Sequence, residues 1–179
     1  MTNRTGLVVA AAVVAAAGLT AAAQSRVTKE NVPGITNFAR VETTVACAGA
    51  TKAEAVPEIK KFGFASIINL REASEQGADV DAEAAAAKAV GLKFVHLPFN
   101  VASPDPKLVD NFIAAVTRAE NQPAFIHCAA GGRAATLWMI KRIKVDGWDE
   151  AKAVDEATAL GLSNERLKQF ALNYVHEHK

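Results

Sequence analysis

Residues 124–134 read AFIHCAAGGRA and pass from a short apolar run, through small residues, to an arginine. The run over 124–127 predicts a strand that is buried on both faces of a sheet. The small residues 129–132 predict a loop, and the pattern that follows predicts a helix over 134–145. A strand that leads into a helix through a short loop is the repeating unit of α/β proteins.

The same alternation of strand and helix extends on both sides of this stretch. Short apolar or β-branched runs predict further strands over 38–46, 65–70 and 94–97. Besides the helix over 134–145, helical patterns cover 51–62, 81–90, 106–119, 149–160 and 164–178. Thr51 and Glu54 form a capping-box pattern at the start of the first helix, and Pro57 predicts a kink within it. The order of elements predicts an α/β three-layer sandwich, in which helices flank a central, mainly parallel sheet of about four to five strands.

Composition excludes several classes of protein. The 179 residues are 50% apolar and 22% charged, as in soluble globular domains rather than disordered chains. A net charge of +1 provides no broad basic surface for nucleic acid or for an anionic membrane. Two cysteines are too few for a disulfide scaffold or a four-cysteine zinc site. Any function must therefore come from one local site.

The first residues have the features of a secretory signal. Arg4 precedes an uncharged, alanine-rich run over 5–25, and residues 21–23 are the small residues at which a signal peptidase cuts. The alternative is an uncleaved membrane anchor, since a span needs about 20 apolar residues. We expect a signal peptide over 1–23, an extended lead-in over 24–37 and a single domain over 38–179. The protein would then be periplasmic or secreted, with no stable membrane insertion after cleavage.

The loop after the strand at 124–127 is where chemistry is expected. Cys128 falls at the carboxyl edge of the sheet, where α/β folds place their sites. Its sulfur would be surrounded by backbone N–H groups of the loop, at Ala129, Ala130, Gly131 and Gly132. Together with Arg133, these donors favour the thiolate and bind an oxyanion. A nucleophile inside an anion-binding loop is typical of phosphoryl or sulfur transfer. The alternative is an inert, buried thiol at a strand end.

This loop resembles the signature loop of the cysteine-dependent protein tyrosine and dual-specificity phosphatases. The resemblance rests on His127 and Cys128, followed by Arg133. Upstream and downstream segments resemble a bacterial phosphatase-like family that includes the phosphatase-like domain fused to β-lactamase-like hydrolases. Those segments are GFASIINLR at 63–71, GLKFVHLP at 91–98 and ATLW at 135–138.

The resemblance covers most of residues 38–179 and implies a function. Cys128 would attack the phosphorus of a phosphomonoester and form a phosphocysteine intermediate. Arg133 would bind the phosphoryl oxygens, and His127 would orient the loop and support the thiolate. No metal or organic cofactor is implied, and the substrate would be a phosphorylated protein or a small phosphate ester.

Two features of the loop depart from the phosphatase pattern. Four residues separate Cys128 from Arg133, where the phosphatase signature has five. Ala134 stands where that signature has a hydroxyl residue that assists breakdown of the phosphocysteine. The shorter spacing resembles a rhodanese-type sulfurtransferase, which would carry a persulfide on Cys128. A third interpretation is a non-catalytic domain that binds phosphate or another oxyanion.

Phosphoester cleavage needs a general acid to protonate the leaving oxygen. Asn100 and Val101 occupy the position where dual-specificity phosphatases carry an aspartate. Asp105, between two prolines, is the nearest substitute, and its alternative role is the N-cap of the following helix. Glu72 and Glu75, after an earlier strand, are further candidates unless they belong to a solvated loop.

Cys47 also follows a predicted strand and is expected near the same sheet edge as Cys128. In an oxidising compartment the two thiols would form a disulfide that reversibly silences the nucleophile. The alternative is that Cys47 is a small buried core residue. The sequence indicates neither an oligomeric state nor a partner-binding surface.

Overall fold

The computed structural model describes residues 26–41 and 43–178, so the expected signal segment over 1–23 lies outside the described residues. The strands are β1 Val27–Val32, β2 Ile35–Val41, β3 Val45–Ala48, β4 Ser66–Asn69, β5 Lys93–His96 and β6 Ala124–His127. The helices are α1 Val56–Lys61, α2 Val80–Ala89, α3 Pro106–Val116, α4 Gly132–Lys144, α5 Glu150–Leu160 and α6 Glu165–Glu177. Single turns of 3₁₀ helix, Ala53–Ala55 and Ala119–Asn121, precede α1 and β6.

Six strands form one sheet in the order β1-β2-β3-β6-β4-β5. Neighbours from β3 to β5 in this order are parallel, whereas β1 and β2 form an antiparallel hairpin that pairs with β3. Parallel neighbours need crossover connections, which is why strand and helix alternate from β3 onward. The predicted α/β sandwich with a mainly parallel sheet is confirmed, with six strands rather than four or five.

The additional strands come from residues that the sequence analysis treats as a lead-in over 24–37. Gly34 turns the hairpin with φ +80°, in the left-handed region that glycine adopts most readily. β1 reads VTKENV and buries only its last residue, Val32, so it lacks the apolar alternation that marks a strand. The predicted strand over 38–46 is likewise two strands, because the chain turns between β2 and β3.

The first helix begins later than its pattern indicates. The predicted capping box does not form: Lys52, rather than Thr51, precedes the first helical turn and makes no side-chain cap, and the Thr51 hydroxyl donates to the carbonyl of Gly49 at 3.2 Å. Pro57 lies in the first turn of α1, where its missing N–H is tolerated, so it starts this helix instead of kinking it. The remaining helices and strands lie within three residues of their predicted bounds.

Helices cover both faces of the sheet and bury two separate cores. On one face, α1 and α2 pack over Phe38, Phe64 and Phe125, and the Phe125 ring contacts the other two. On the other face, α3, α4, α5 and α6 enclose the larger core. All four residues of β6 are buried, as predicted for a strand covered on both faces. Among the described residues, no helix is long and apolar enough to cross a membrane.

Candidate active site

Cys128 lies directly after β6, at the carboxyl edge of the parallel strands. Its N–H donates to the carbonyl of Ala48 at 3.1 Å, and its Sγ accepts the N–H of Gly131 at 3.1 Å. The residue is 2% exposed and forms part of the floor of a cleft. The N–H of Gly131 thus brings a partial positive charge toward the sulfur.

The loop after Cys128 presents backbone amides that have no protein partner. The carbonyl of Ala129 accepts the N–H of Ala50 at 2.9 Å, and the carbonyl of Ala130 accepts the Nδ2–H of Asn37 at 3.1 Å. Within residues 26–41 and 43–178, five amides of the loop and helix start donate to no protein acceptor, namely those of Ala129, Ala130, Gly132, Arg133 and Ala134. Free amides at a helix N-terminus are suited to binding an anion.

Two glycines allow this loop to pack closely. Gly131 has φ +101° and is the N-cap of α4, a backbone conformation that a residue with a side chain rarely adopts. Gly49 lies against the loop, and a Cβ at this position would be 2.9 Å from the carbonyl oxygen of Ala129. A larger residue at Gly49 would therefore displace the loop.

Arg133 is fixed beneath the loop by a carboxylate and two carbonyls. Its Nη1 and Nη2 donate to Oε1 and Oε2 of Glu75 at 2.6 and 2.8 Å. Nη1 also donates to the carbonyls of Leu70 and Phe99 at 3.1 and 2.9 Å. A guanidinium carries five N–H donors, so the Nε–H and one Nη2 hydrogen remain. These two hydrogens lie along one edge of the guanidinium, which is suited to donating to two oxygens of one phosphoryl group.

Glu75 is the group that orients Arg133. Its carboxylate also accepts the N–H of Glu72 at 2.9 Å and the Nε–H of Arg71 at 3.3 Å. Burial alone would raise the pKa of Glu75, but these hydrogen bonds and the charge of Arg133 outweigh burial and lower the pKa to about 2. Glu75 is thus a carboxylate at neutral pH and cannot be the proton donor that its sequence position suggested.

Arg71 builds the turn that carries Glu75, a role that the sequence analysis missed. This buried arginine donates to the carbonyls of Gln76 and Gly77 at 2.7 and 2.9 Å. Its own carbonyl lies 2.7 Å from the Nε2 of His96 in β5. The signal for this role in the sequence is a charged residue close after a buried apolar strand. An unpaired charge there is unfavourable, so Arg71 is expected to have hydrogen-bond partners.

The walls of the cleft come from distant parts of the chain. The β1–β2 hairpin forms one wall, and residues 160–164, between α5 and α6, contribute to another. Glu72 and residues 100–102 also line the cleft, and the Nδ2–H of Asn100 donates to Glu72 Oε1 at 3.2 Å. The hairpin that the sequence did not predict is therefore part of the site.

Asp105 does not line the cleft. Its exposed carboxylate accepts the N–H of Lys107 at 2.9 Å and caps the N-terminus of α3. The alternative role considered for Asp105, that of an N-cap, is confirmed. Of the three carboxyl groups considered as the general acid, the structure brings Glu72 and Glu75 to the cleft and leaves Asp105 outside it.

His127 also lies outside the cleft, although it directly precedes Cys128. Successive residues of a strand point to opposite faces of a sheet, so His127 faces α2 while Cys128 faces the larger core. The imidazole is fully buried, and its Nε2 lies 2.8 Å from Oε1 of Glu83. His127 is therefore not placed to contact a ligand in the cleft, in contrast to the expectation from the sequence.

Cys47 and Cys128 are both free thiols, so of the two roles considered for Cys47 the structure confirms that of a small buried core residue. Cys47 pairs with Ile126, two residues before Cys128, in the register of β3 and β6. With strands about 4.8 Å apart and a rise of about 3.3 Å per residue, the two Cα atoms are about 8 Å apart, further than a disulfide spans. Burial, reinforced by Cys128, raises the pKa of the Cys47 thiol well above its usual value. Cys47 is a buried core residue.

The fold and this site define a class of protein, the α/β domains that hold a cysteine inside an anion-binding loop. The family model for the phosphatase-like domain of beta-lactamase hydrolase-like proteins matches residues 37–145. The chain belongs to this family, which confirms the resemblance in the sequence. No curated protein sequence matches the chain.

Several solved structures share the fold. A DUF442 protein from Shewanella putrefaciens CN-32 is 18% identical with a TM-score of 0.68, and the match covers 82% of this chain and 93% of that one. TpbA of P. aeruginosa in complex with phosphotyrosine is 19% identical with a TM-score of 0.64, over 86% and 90% of the two chains. The core catalytic domain of the PP-IP phosphatase SIW14 from S. cerevisiae is 20% identical with a TM-score of 0.64, over 79% and 86%. At these identities the likeness establishes the fold.

Glu75→Gln should make the free energy of unfolding less sensitive to acid. The pKa of Glu75, about 2 in the folded protein against an ordinary 4.5, means that its carboxylate stabilises the fold above about pH 4.5. This contribution is lost as the pH falls toward 2, and partial exposure of the carboxylate keeps it modest. Urea unfolding from about pH 6 to about pH 2.5 measures the effect as a shrinking difference between wild type and variant.

Glu165→Gln, at a carboxylate that is 78% exposed, is the control and should differ from wild type by a small amount at every pH. A difference between wild type and Glu75→Gln that stays constant across the acid range would contradict the assigned role of the Arg133–Glu75 pair.

Proposed function

We propose that this protein is a cysteine-dependent phosphatase that hydrolyses phosphomonoesters. The observation that carries this proposal is that the Cys128 sulfur, the free amides of its loop and the open edge of Arg133 lie together at one end of the cleft. These groups supply a nucleophile and the donors that a phosphoryl group requires. Membership of a phosphatase-like family and the likeness to a structure that holds phosphotyrosine support the same substrate class.

The reaction would proceed in two displacements at phosphorus. In the first, the Cys128 thiolate attacks phosphorus, the S–P bond forms, the P–O bond to the leaving group breaks, and a general acid protonates the leaving oxygen. In the second, water attacks phosphorus, its proton passes to the carboxylate left by the first step, and the S–P bond breaks to restore the thiolate. The loop amides and Arg133 hold the phosphoryl oxygens throughout. Ala134 offers no hydroxyl to the second displacement, so we expect that step to limit turnover.

We assign the acid role to Glu72 in place of Asp105. Glu72 lines the cleft and is half-buried, whereas Asp105 is exposed and committed to the helix cap. Asn100 donates to Glu72 and holds its carboxyl group on the same side of the cleft as the Arg133 clamp. A general acid must reach the leaving oxygen, and position therefore favours Glu72.

The charges around the cleft favour a substrate with few charges beyond the reacting phosphoryl group. Among the residues that the structure describes, Lys29 and Arg133 are the cations that line the cleft, against the carboxylates of Glu30, Glu72 and Glu75. Arg133 is already balanced by Glu75. A polyphosphorylated substrate would find no surplus of positive charge here to bind its other phosphates. We propose a singly phosphorylated substrate, either a small ester or a phosphorylated side chain of a protein.

One observation favours a second function, the transfer of sulfur. The loop has four residues between Cys128 and Arg133, which makes a smaller ring than the phosphatase signature. In this alternative the Cys128 thiolate attacks the outer sulfur of thiosulfate, the S–S bond breaks and sulfite leaves, so that a persulfide remains on the cysteine. Retention of oxyanion binding without turnover of either substrate would instead indicate a non-catalytic binding domain.

We also propose a periplasmic or secreted location, with removal of residues 1–23. This proposal rests on the basic start, the apolar run and the small residues before Gln24 in the sequence.

Cys128→Ser should abolish hydrolysis of an aryl phosphate while leaving vanadate or phosphate binding within a few-fold of wild type. The reason is that serine removes the nucleophile but leaves the loop amides and Arg133 in place. Arg133→Ala should weaken binding and turnover together, by about a hundredfold or more in kcat/KM. Hydrolysis is measured under reducing conditions, with thiosulfate and cyanide as a parallel substrate pair.

Full activity in Cys128→Ser would overturn the phosphocysteine mechanism. Cys128-dependent formation of thiocyanate, with no hydrolysis of aryl phosphate, would select the sulfurtransferase.

Glu72→Gln should lower kcat/KM, which reports the first displacement, by about a hundredfold for phenyl phosphate, but should lower kcat/KM much less for 4-nitrophenyl phosphate. The poorer leaving group needs the proton more, so the ratio of the two losses identifies a general acid. Asp105→Asn is the matched control, because asparagine caps a helix as well as aspartate does. A loss that depends on the leaving group in Asp105→Asn, and not in Glu72→Gln, would return the acid role to Asp105.

Thr158→Lys should lower KM for an inositol polyphosphate about fivefold or more, while KM for an aryl phosphate changes little. Thr158 is exposed on the cleft wall, so a lysine there adds the missing positive charge. Thr117→Lys is the control: both hydroxyls donate to the carbonyl four residues earlier, but Thr117 does not line the cleft. Wild type that prefers the polyphosphate to the aryl phosphate would contradict the proposed substrate class.

A further inference from the structure

A buried carboxylate lies behind the active site, on the face of the sheet opposite the cleft. Glu83 extends from α2, and its side chain is only 4% exposed. Its Oε1 lies 2.8 Å from Nε2 of His127, and its Oε2 accepts the Nδ2–H of Asn69 at 2.7 Å. Neither the sequence motif nor the proposed chemistry gives this residue a function.

Burial of this carboxylate requires a balancing charge. An isolated carboxylate in the interior is strongly unfavourable, and among the described residues His127 is the one basic side chain that contacts it. The Nε2–Oε1 contact does not have the alignment of a good hydrogen bond, and Nδ1 of His127 is buried without a partner in the described chain. The contact between the two groups is therefore a close approach of a carboxylate oxygen to a ring nitrogen, not an aligned hydrogen bond.

The two partners of Glu83 end two neighbouring strands of the sheet. One strand leads to the Cys128 loop, and the other leads to the loop that carries Glu75. His127 ends β6 and is followed directly by Cys128 and the free amides. Asn69 ends β4, and its Oδ1 accepts the N–H of Arg71 at 2.7 Å. Arg71 donates to the carbonyls of Gln76 and Gly77 and so stabilises the loop that carries Glu75. Glu75 accepts the hydrogen bonds that orient Arg133.

Because a carboxylate only accepts hydrogen bonds, Glu83 also fixes the orientation of the Asn69 amide. Nδ2 of Asn69 must face Glu83, so its Oδ1 must face the Arg71 N–H. A single side chain thus contacts both His127, which directly precedes the Cys128 loop, and Asn69, which precedes the turn that carries Glu75.

We propose that Glu83 is a positioning residue for the active site, which holds the ends of β4 and β6 so that the loop and the arginine clamp act on one phosphoryl group. This inference rests on the proposed phosphatase function. Glu83 touches no substrate in this role, and its effect passes through His127 and Asn69. Misplacement of catalytic groups by about 1 Å is enough to lower a rate by about a hundredfold, so loss of this anchor has a measurable effect.

Glu83→Gln keeps the side-chain shape but removes the charge and one of the two acceptors. We expect kcat/KM for an aryl phosphate to fall about tenfold or more, mainly through kcat, and vanadate affinity to fall by a similar factor. KM should change less than about threefold, since the loop amides remain. His127→Asn should cause a comparable loss, and the double variant should be little worse than either single variant because both remove the same contact.

Ser66→Ala is the matched control, because it removes a buried hydrogen bond from β4, the strand that also contains Asn69. Ser66 is fully buried at the opposite end of β4, where its hydroxyl donates to the carbonyl of Asn121 at 2.6 Å. This variant should lower the thermal midpoint, as Glu83→Gln does, yet leave kcat/KM within about twofold of wild type. A purely structural role for Glu83 would make the two variants alike, with lower midpoints and unchanged kcat/KM, and would overturn the proposal. Additive losses in the double variant would also overturn it.

The rate at which iodoacetamide alkylates Cys128 tests the positioning role of Glu83 without requiring phosphatase activity. If wild type neither hydrolyses aryl phosphate nor binds vanadate, the phosphatase proposal fails, but the alkylation rate still reports the position of the sulfur. Glu83→Gln should then change that rate about threefold or more, with Ser66→Ala unchanged. Equal alkylation rates in the three proteins would exclude the positioning role.

Discussion

The double hydrogen bond between Arg133 and Glu75 joins the two halves of the active site. Arg133 belongs to the helix that follows β6, and Glu75 belongs to the turn that follows β4, 58 residues earlier in the chain. A buried guanidinium without such a partner would be strongly destabilising, so the pair constrains where the turn lies. It also decides which edge of Arg133 is left for a ligand, because Glu75 occupies the end of the guanidinium and leaves the Nε side open.

The rest of the site follows from the close approach of several backbones around this pair. The Cys128 loop packs on the end of β3, and the hairpin reaches it through the bond from Asn37 to Ala130. Small residues in the loop permit both contacts and keep side chains away from the amides. Among the described residues, the side chains that line the cleft above it include two cations, Lys29 and Arg133, and three carboxylates, Glu30, Glu72 and Glu75.

Much of the fold was predictable because the signals for it are local. β6 has the predicted bounds, and the helices after it start and end within two residues of theirs, since apolar periodicity and capping residues lie within each segment. The hairpin was not predicted, because β1 is a mostly polar edge strand whose pattern is that of a loop. The capping box at Thr51 is absent because Thr51 forms a β-bridge with Ile35 and the first helical turn begins at Ala53.

The sequence by itself determined the cysteine, the loop of small residues and the arginine at the helix start, because these lie within six consecutive residues, 128–133. The tertiary structure decided what surrounds them. His127 contacts Glu83 on the face of the sheet opposite the cleft, and Glu75 accepts hydrogen bonds from Arg133. Asp105 caps a helix, and Cys47 forms no disulfide with Cys128. The physical reason is that strand order and register determine which distant side chains meet, and neither is written in the periodicity of a single segment.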